Sequence, residues 1–180
     1  MQLILILGLL GSLNGNWTTL LNADYIFDFA EKDGLLYLAT NGGVVIYDPA
    51  VDSVIKQFTN LDGLSGPVVT EIEFTTNGCL WAAVSEKGLA YMPEGCDFFY
   101  TYPLSGLPAS ITDTRDMLAL SDTLFFATRS GLVVLDTKGT ANTDDDSYTV
   151  YTSYTSPLSS DNLFSLALHR DTLYIGSASG

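Results

Sequence analysis

One short segment recurs four times along the chain: LYLAT at 36–40, LWAAV at 80–84, LFFAT at 124–128 and LYIGS at 173–177, spaced 44, 44 and 49 residues apart. Seven or eight residues after the first leucine of each copy stands a glycine, Gly43, Gly88, Gly131 or Gly180, as a tight hairpin turn at positive φ requires. A second apolar run follows the glycine, at Val44 to Tyr47, Leu89 to Met92 and Leu132 to Leu135. A third run, rich in aromatic and β-branched residues, lies at 54–59, 98–102 and 148–152, and each repeat then closes on a Gly-, Pro- or Ser-rich cluster at 62–67, 105–110 or 156–162. Ahead of each LYLAT-like strand is one more extended segment: 25–30, 69–74, 116–120 and 163–168.

Four short strands joined by tight turns and repeated every 44 to 49 residues predict an all-β fold of propeller blades. The 3.6-residue period of helical repeats is missing. The LYLAT-like strands are apolar on both faces, with Leu36 and Leu38 on one and Tyr37 and Ala39 on the other. Such a strand must be covered twice, as in stacked blades and unlike a sandwich with one solvated face. In every copy an aromatic stands two residues before a small residue, as Trp81 does before Ala83, so a ring of one blade is expected over the small residue of the next.

The repeats run 25–68, 69–110, 111–161 and 162–180, the last truncated, with 16–21 reading as an outer strand of another blade. The expected architecture is about three and a half four-stranded antiparallel blades in an open ring. Further blades of the same polypeptide are the expected cover for its open faces, since an uncapped array exposes apolar surface.

The first 15 residues, MQLILILGLLGSLNG, carry an apolar run of signal-peptide length; no Lys or Arg precedes it, and a buried strand is the alternative. Export to the periplasm, cell surface or medium is expected, with no membrane insertion elsewhere. Asn16-Trp17-Thr18 fits an N-glycosylation acceptor, a triplet that also arises by chance. Seven Lys and Arg against 21 Asp and Glu give a net charge of −14, which argues against nucleic acid as a partner. Cys79 and Cys96 form no zinc or redox motif. In a hairpin of 80–84 with 89–93 they fall nearly opposite each other, which permits a disulfide in an exported chain; two free thiols are the alternative.

No catalytic constellation is legible, and no cofactor or metal is expected. His169 is the only histidine and falls at a strand end; no GxSxG or phosphate-binding loop occurs. The acidic run at 142–146 lies in the insertion that lengthens repeat three; it lacks the central glycine and terminal glutamate of an EF-hand and reads as a solvated loop, with Ca²⁺ the functional alternative. The candidate ligand-binding residues are those of the second-to-third-strand turns, Asn41, Glu86, Lys87, Arg129 and Ser130, with Asp62 and Ser105 on the longer loops. A protein or carbohydrate is the expected ligand of that loop face.

On these motifs residues 17 to 180 resemble the two-component-regulator propeller family. The resemblance rests on the turns Asp33-Gly34 and Asn77-Gly78, the four LYLAT-like strands, and the pairs Gly63-Leu64, Gly88-Leu89, Gly106-Leu107 and Gly131-Leu132. The chain departs from the pattern in carrying the strand tryptophan only at Trp81 and in reading Ser121-Asp122 and Arg170-Asp171 where a turn glycine is usual. The resemblance implies a non-enzymatic, extracytoplasmic ligand-sensing module. The alternatives are a secreted or surface-associated scaffold, and a propeller enzyme whose catalytic residues lie on other blades.

Overall fold

A computed structural model describes residues 22–105, 107–140 and 142–179. The expected signal segment, the outer strand at 16–21, the Asn16 triplet, Gly106 and Gly180 lie outside the described residues. The chain forms a meander in which each sheet is built in sequence order. Blade 1 consists of β1 (Ile26–Lys32), β2 (Leu35–Thr40), β3 (Gly43–Asp48) and β4 (Ser53–Phe58). Blade 2 holds β5 (Val69–Phe74), β6 (Leu80–Val84), β7 (Gly88–Met92) and β8 (Tyr100–Thr101). Blade 3 holds β9 (Asp116–Leu120), β10 (Thr123–Thr128), β11 (Gly131–Asp136) and β12 (Ser147–Tyr151). A half-blade of β13 (Leu163–His169) and β14 (Thr172–Ser177) follows. All pairings are antiparallel. The fold is a β-propeller in an open array, with β1, β5, β9 and β13 packed against their neighbours as the inner strands.

The turns explain the regular spacing. Asp33 and Gly34 both take positive φ, 55° and 79°, the geometry that matches the twist of a two-residue hairpin. In the third and fourth repeats Ser121 and Arg170 hold the place of Asp33 and adopt nearly the same φ, 58° and 55°. At the other end of the hairpins Thr40 and Thr128 are buried, and each hydroxyl donates to the carbonyl of Gly43 or Gly131, at 2.9 and 2.7 Å, while accepting from the N–H of Gly42 or Ser130. These bonds satisfy buried polar groups that would otherwise be unpaired.

Both faces of the two internal LYLAT-like strands, β6 and β10, are used, one in each seam. The Tyr37/Ala39 face of β2 shares a core with Leu80, Ala82 and Val84 of β6. The Trp81/Ala83 face of β6 meets Leu124 and Phe126 of β10, and the Phe125/Ala127 face of β10 meets Leu173 and Ile175 of β14. Rings also meet rings at and beside the seams. Tyr37 packs edge-on against Phe74, with centroids 4.9 Å apart, and Trp81 stacks on Tyr91, its register partner in the same sheet, at 5.3 Å.

The third aromatic run of blade 2, 98–102, shortens to Tyr100–Thr101. Phe99 leaves the sheet because its N–H donates to the Asp62 carbonyl at 2.8 Å and its ring is buried against Phe58 in the first seam. The equivalent side chains Phe58, Tyr102 and Tyr151 then grade the coverage of the array, at 1, 5 and 41% exposure. The ends of the array are open: Phe29 on blade 1 is 63% exposed and Tyr174 on β14 is 56% exposed.

Of the two alternatives for Cys79 and Cys96 the structure has free thiols, Cys79 buried and Cys96 exposed. The hairpin forms as expected, with Leu80 opposite Met92. Cys79, however, turns inward into the second seam while Cys96 stays in solvent beyond Pro93. Burial pushes the Cys79 thiol up to about 12, so it behaves as a small apolar group.

Candidate binding face

The polar turns between second and third strands lie on the same side as the loops that enter each inner strand, and backbone hydrogen bonds tie the two together. Asn41 N–H donates to the Tyr25 carbonyl (3.2 Å), Ser85 N–H to Val68 (2.9 Å) and Gly131 N–H to Asp161 (2.8 Å). One cluster joins two blades. Glu86, at φ 61°, donates its N–H to the Thr112 carbonyl at 3.1 Å, and the next residue, Asp113, pairs with Arg129 Nε at 2.6 Å. Glu86 and Arg129 are thus both tethered to the 3-10 turn Ala109–Asp113, with Lys87 and Ser130 next to them in sequence.

The other candidates are not part of this cluster. Asn41 uses its side-chain oxygen to accept from Tyr25 N–H at 3.1 Å. Asp62 closes a capping box, its carboxylate accepting from Thr59 N–H (2.9 Å) and Thr59 Oγ1 (3.2 Å). Both residues hold the entrance loops in shape. Ser105 lines a separate cleft of about 280 Å³ at the seam of blades 2 and 3, with Tyr102, Asp144, Asp146 and Tyr148. There the Tyr102 hydroxyl donates to Asp146 at 2.7 Å; burial, then this bond, pushes the phenol up, and burial raises the Asp146 carboxyl. Within the acidic insertion Thr140 Oγ1 donates to Asp145 and Asp144 N–H to Asn142. Among the described residues no group of three or more His, Cys, Asp or Glu side chains is placed to hold a metal ion. His169 ends β13 opposite Thr172.

Sequence reasoning missed a set of carboxyls on the inner strands. By strand pairing Asp28, Glu71 and Asp116 hold the same position in three successive blades, opposite Ala39, Ala83 and Ala127, and Ser165 holds it in the fourth, opposite Gly176. Asp28 Oδ2 accepts the Ile72 N–H of the next blade at 3.0 Å, and Asp116 Oδ2 accepts that of Leu166 at 2.5 Å. Glu71 is pushed up to about 9 by burial and then by the charges of Asp28, Asp116 and Glu73. Glu73 is pushed up to about 7, chiefly by burial. Asp116 is raised by burial against the opposing pull of its two backbone donors.

The fold and its face define a propeller segment that displays polar turns on one side and gathers carboxyls along its inner strands. No family model and no curated protein matches the chain. Solved structures do. The extracellular domain of the putative hybrid two-component system BT4673 from B. thetaiotaomicron superposes with a TM-score of 0.65 at 16% identity over 91% of this chain. PorZ, a bacterial surface component of the type-IX secretion system of Porphyromonas gingivalis, gives 0.66 at 15% identity over 86%. The chain spans 22% and 24% of these two proteins. The computationally designed protein Ika4 gives 0.59 at 11% identity, with 92% of this chain matched to 95% of that one. At such identities the likeness is one of fold.

Proposed function

We propose that the chain is a non-enzymatic extracytoplasmic binding module, with its ligand taken on the face built from Glu86, Lys87, Arg129 and Ser130. The observation that carries this reading is the way two turns from neighbouring blades are tethered to one 3-10 turn, through the Glu86–Thr112 backbone bond and the Asp113–Arg129 ion pair. Side chains displayed on a hydrogen-bonded frame lose less freedom on binding than those of a loose loop. A sensory role ahead of a signalling domain agrees with the likeness to extracellular domains of two-component proteins. Further blades of the same polypeptide would cover the open faces at Phe29 and Tyr174.

The test is a binding screen of the purified chain against an oligosaccharide array and a panel of extracellular proteins. It is repeated with the triple variant Glu86→Ala, Lys87→Ala, Arg129→Ala after circular dichroism has shown that variant to be folded. Loss of the hit by tenfold or more, on the order expected for removing two or three anchoring polar contacts, supports the face; undiminished binding by the variant refutes it. The second reading, a surface-associated scaffold, is favoured by the likeness to PorZ. Capture of a secretion-apparatus protein, with no small ligand bound, would select it.

A further inference from the structure

We propose that the cleft at the seam of blades 2 and 3 is a binding site for a small organic cation, an ammonium group joined to a flat ring. The repeats of the chain supply the reference. In the first seam Phe99, the residue ahead of Tyr100 on β8, buries its ring against Phe58, with centroids 5.4 Å apart, in a core that includes Leu64 and Met92. In the second seam Tyr102, Leu107 and Leu135 hold the places of Phe58, Leu64 and Met92, and all three line the cleft. Tyr148 holds the place of Phe99, one residue ahead of Thr149, yet it is 44% exposed where Phe99 is wholly buried. The slot that a phenylalanine ring fills in one seam is therefore a cleft of about 280 Å³ in the next. A cavity of about 150 Å³ takes a benzene ring, so a ring with a short substituent fits.

The second seam also makes this slot polar. Tyr102 brings a hydroxyl that Phe58 lacks, and it donates to Asp146 Oδ2 at 2.7 Å. The other oxygen, Asp146 Oδ1, is buried and accepts no hydrogen bond among the described residues. A buried acceptor left without a donor is costly, and an N–H group seated in the cleft would satisfy it. The wall that carries Asp146 is the insertion that lengthens repeat three. It is held in shape by Thr140 Oγ1, which donates to Asp145 at 3.0 Å, and by Asp144 N–H, which donates to Asn142 Oδ1 at 3.2 Å.

Charge decides which kind of donor fits. Asp144 lines the cleft with Asp146, and among the described residues no lysine, arginine or histidine does. Lys138, whose charge is felt at Asp146, is paired with Asp136. Two phenol rings, one unpartnered carboxylate oxygen and an unbalanced negative field favour a cationic ring compound over a neutral or anionic one.

The experiment is a titration of the full chain with benzylamine at about 0.15 M salt, followed by the ¹³C-carboxyl signals of the aspartates and the ring signals of the tyrosines. Saturable shifts centred on Tyr102, Asp144, Asp146 and Tyr148 are expected, with a Kd of about 1 mM or tighter. Benzyl alcohol, which keeps the ring and lacks the charge, should bind at least about tenfold more weakly, and so should benzylamine to Asp146→Asn. Equal affinity for the two probes, shifts that spread over the acidic surface without saturating, or undiminished binding by Asp146→Asn overturns the site. If the asparagine variant does not fold, the comparison of the two probes on the unmodified chain decides. The triple variant Glu86→Ala, Lys87→Ala, Arg129→Ala should bind benzylamine as the unmodified chain does, so that the cleft and the turn face are tested separately. Loss of benzylamine binding in that variant would move the amine to the turn face and overturn the cleft.

Discussion

Gly43, Gly88 and Gly131 occupy one position in three blades with nearly one conformation, φ of 106°, 96° and 112°. Replacing each with alanine should nonetheless cost different amounts. The conformational strain is common to all three, about 2 kcal/mol for an L-residue forced to such angles. What the new Cβ meets is not. At Gly43 it would lie 2.0 Å from the Phe58 carbonyl oxygen, and at Gly131 2.3 Å from that of Tyr151, both backbone atoms of the outer strand. At Gly88 it would meet the tip of Leu104, 2.6 Å away, which can turn aside. Relieving the first two overlaps means pushing β4 off β3 or β12 off β11, at about 1 kcal/mol for each ladder bond lost. At residue 43 the shift also disturbs the buried Phe58 ring, whereas Tyr151 is partly free to follow. The expected order is about 4 kcal/mol for Gly43→Ala, 3 for Gly131→Ala and 2 for Gly88→Ala. In thermal unfolding of a chain this long, each kcal/mol lowers Tm by about 2–4 °C. Equal losses at the three sites would refute the reasoning by showing that backbone angle alone sets the cost; so would the largest loss at Gly88.

Two further outcomes follow from burial. Phe126→Ala empties the centre of the second seam, where the ring is wholly buried, and should cost about 3–5 kcal/mol in urea unfolding. Tyr174→Ala, on the open face of β14, should cost less than about 0.5 kcal/mol in the same assay. With a disulfide-exchange reagent at neutral pH under non-reducing conditions, the native chain should release one equivalent rapidly from Cys96 and a second, from Cys79, only on denaturation. Absence of any fast-reacting thiol would restore the bridge between them.

The periodicity carried the architecture because each blade repeats the same physical demands: a strand apolar on both faces, a glycine at positive φ, and a turn-forming pair. What escaped it depended on neighbours that periodicity does not report. Asp28, Glu71 and Asp116 are spaced 43 and 45 residues apart, not the 44 of the strands beside them. β1 and β5 each carry a bulge ahead of the carboxyl, and β9 starts at it, so strand pairing reveals an equivalence that linear spacing hides. Among the turn candidates, residue type marked exposure correctly at Glu86 and Lys87. Nothing in the sequence distinguished Asn41 and Asp62, whose side chains are spent on holding backbone, from Arg129, which reaches Asp113 on the entrance loop of its own blade. For the cysteines the sequence left a bridge and two free thiols as alternatives, because burial of Cys79 in the second seam depends on the neighbouring blade.

Each seam joins the same two kinds of surface, an aromatic-and-small face on the earlier blade and a leucine-bearing face on the later one. The stack therefore has a direction, and its blades behave as interchangeable units. Duplicating or deleting one whole repeat would present every remaining surface with a partner of the kind it already has. A single residue inserted within β6 would reverse its two faces together and spoil both adjoining seams at once. Length can change safely only between strands, as it has in the insertion ahead of β12, and a lineage built on this plan gains or loses recognition surface in increments of a full blade.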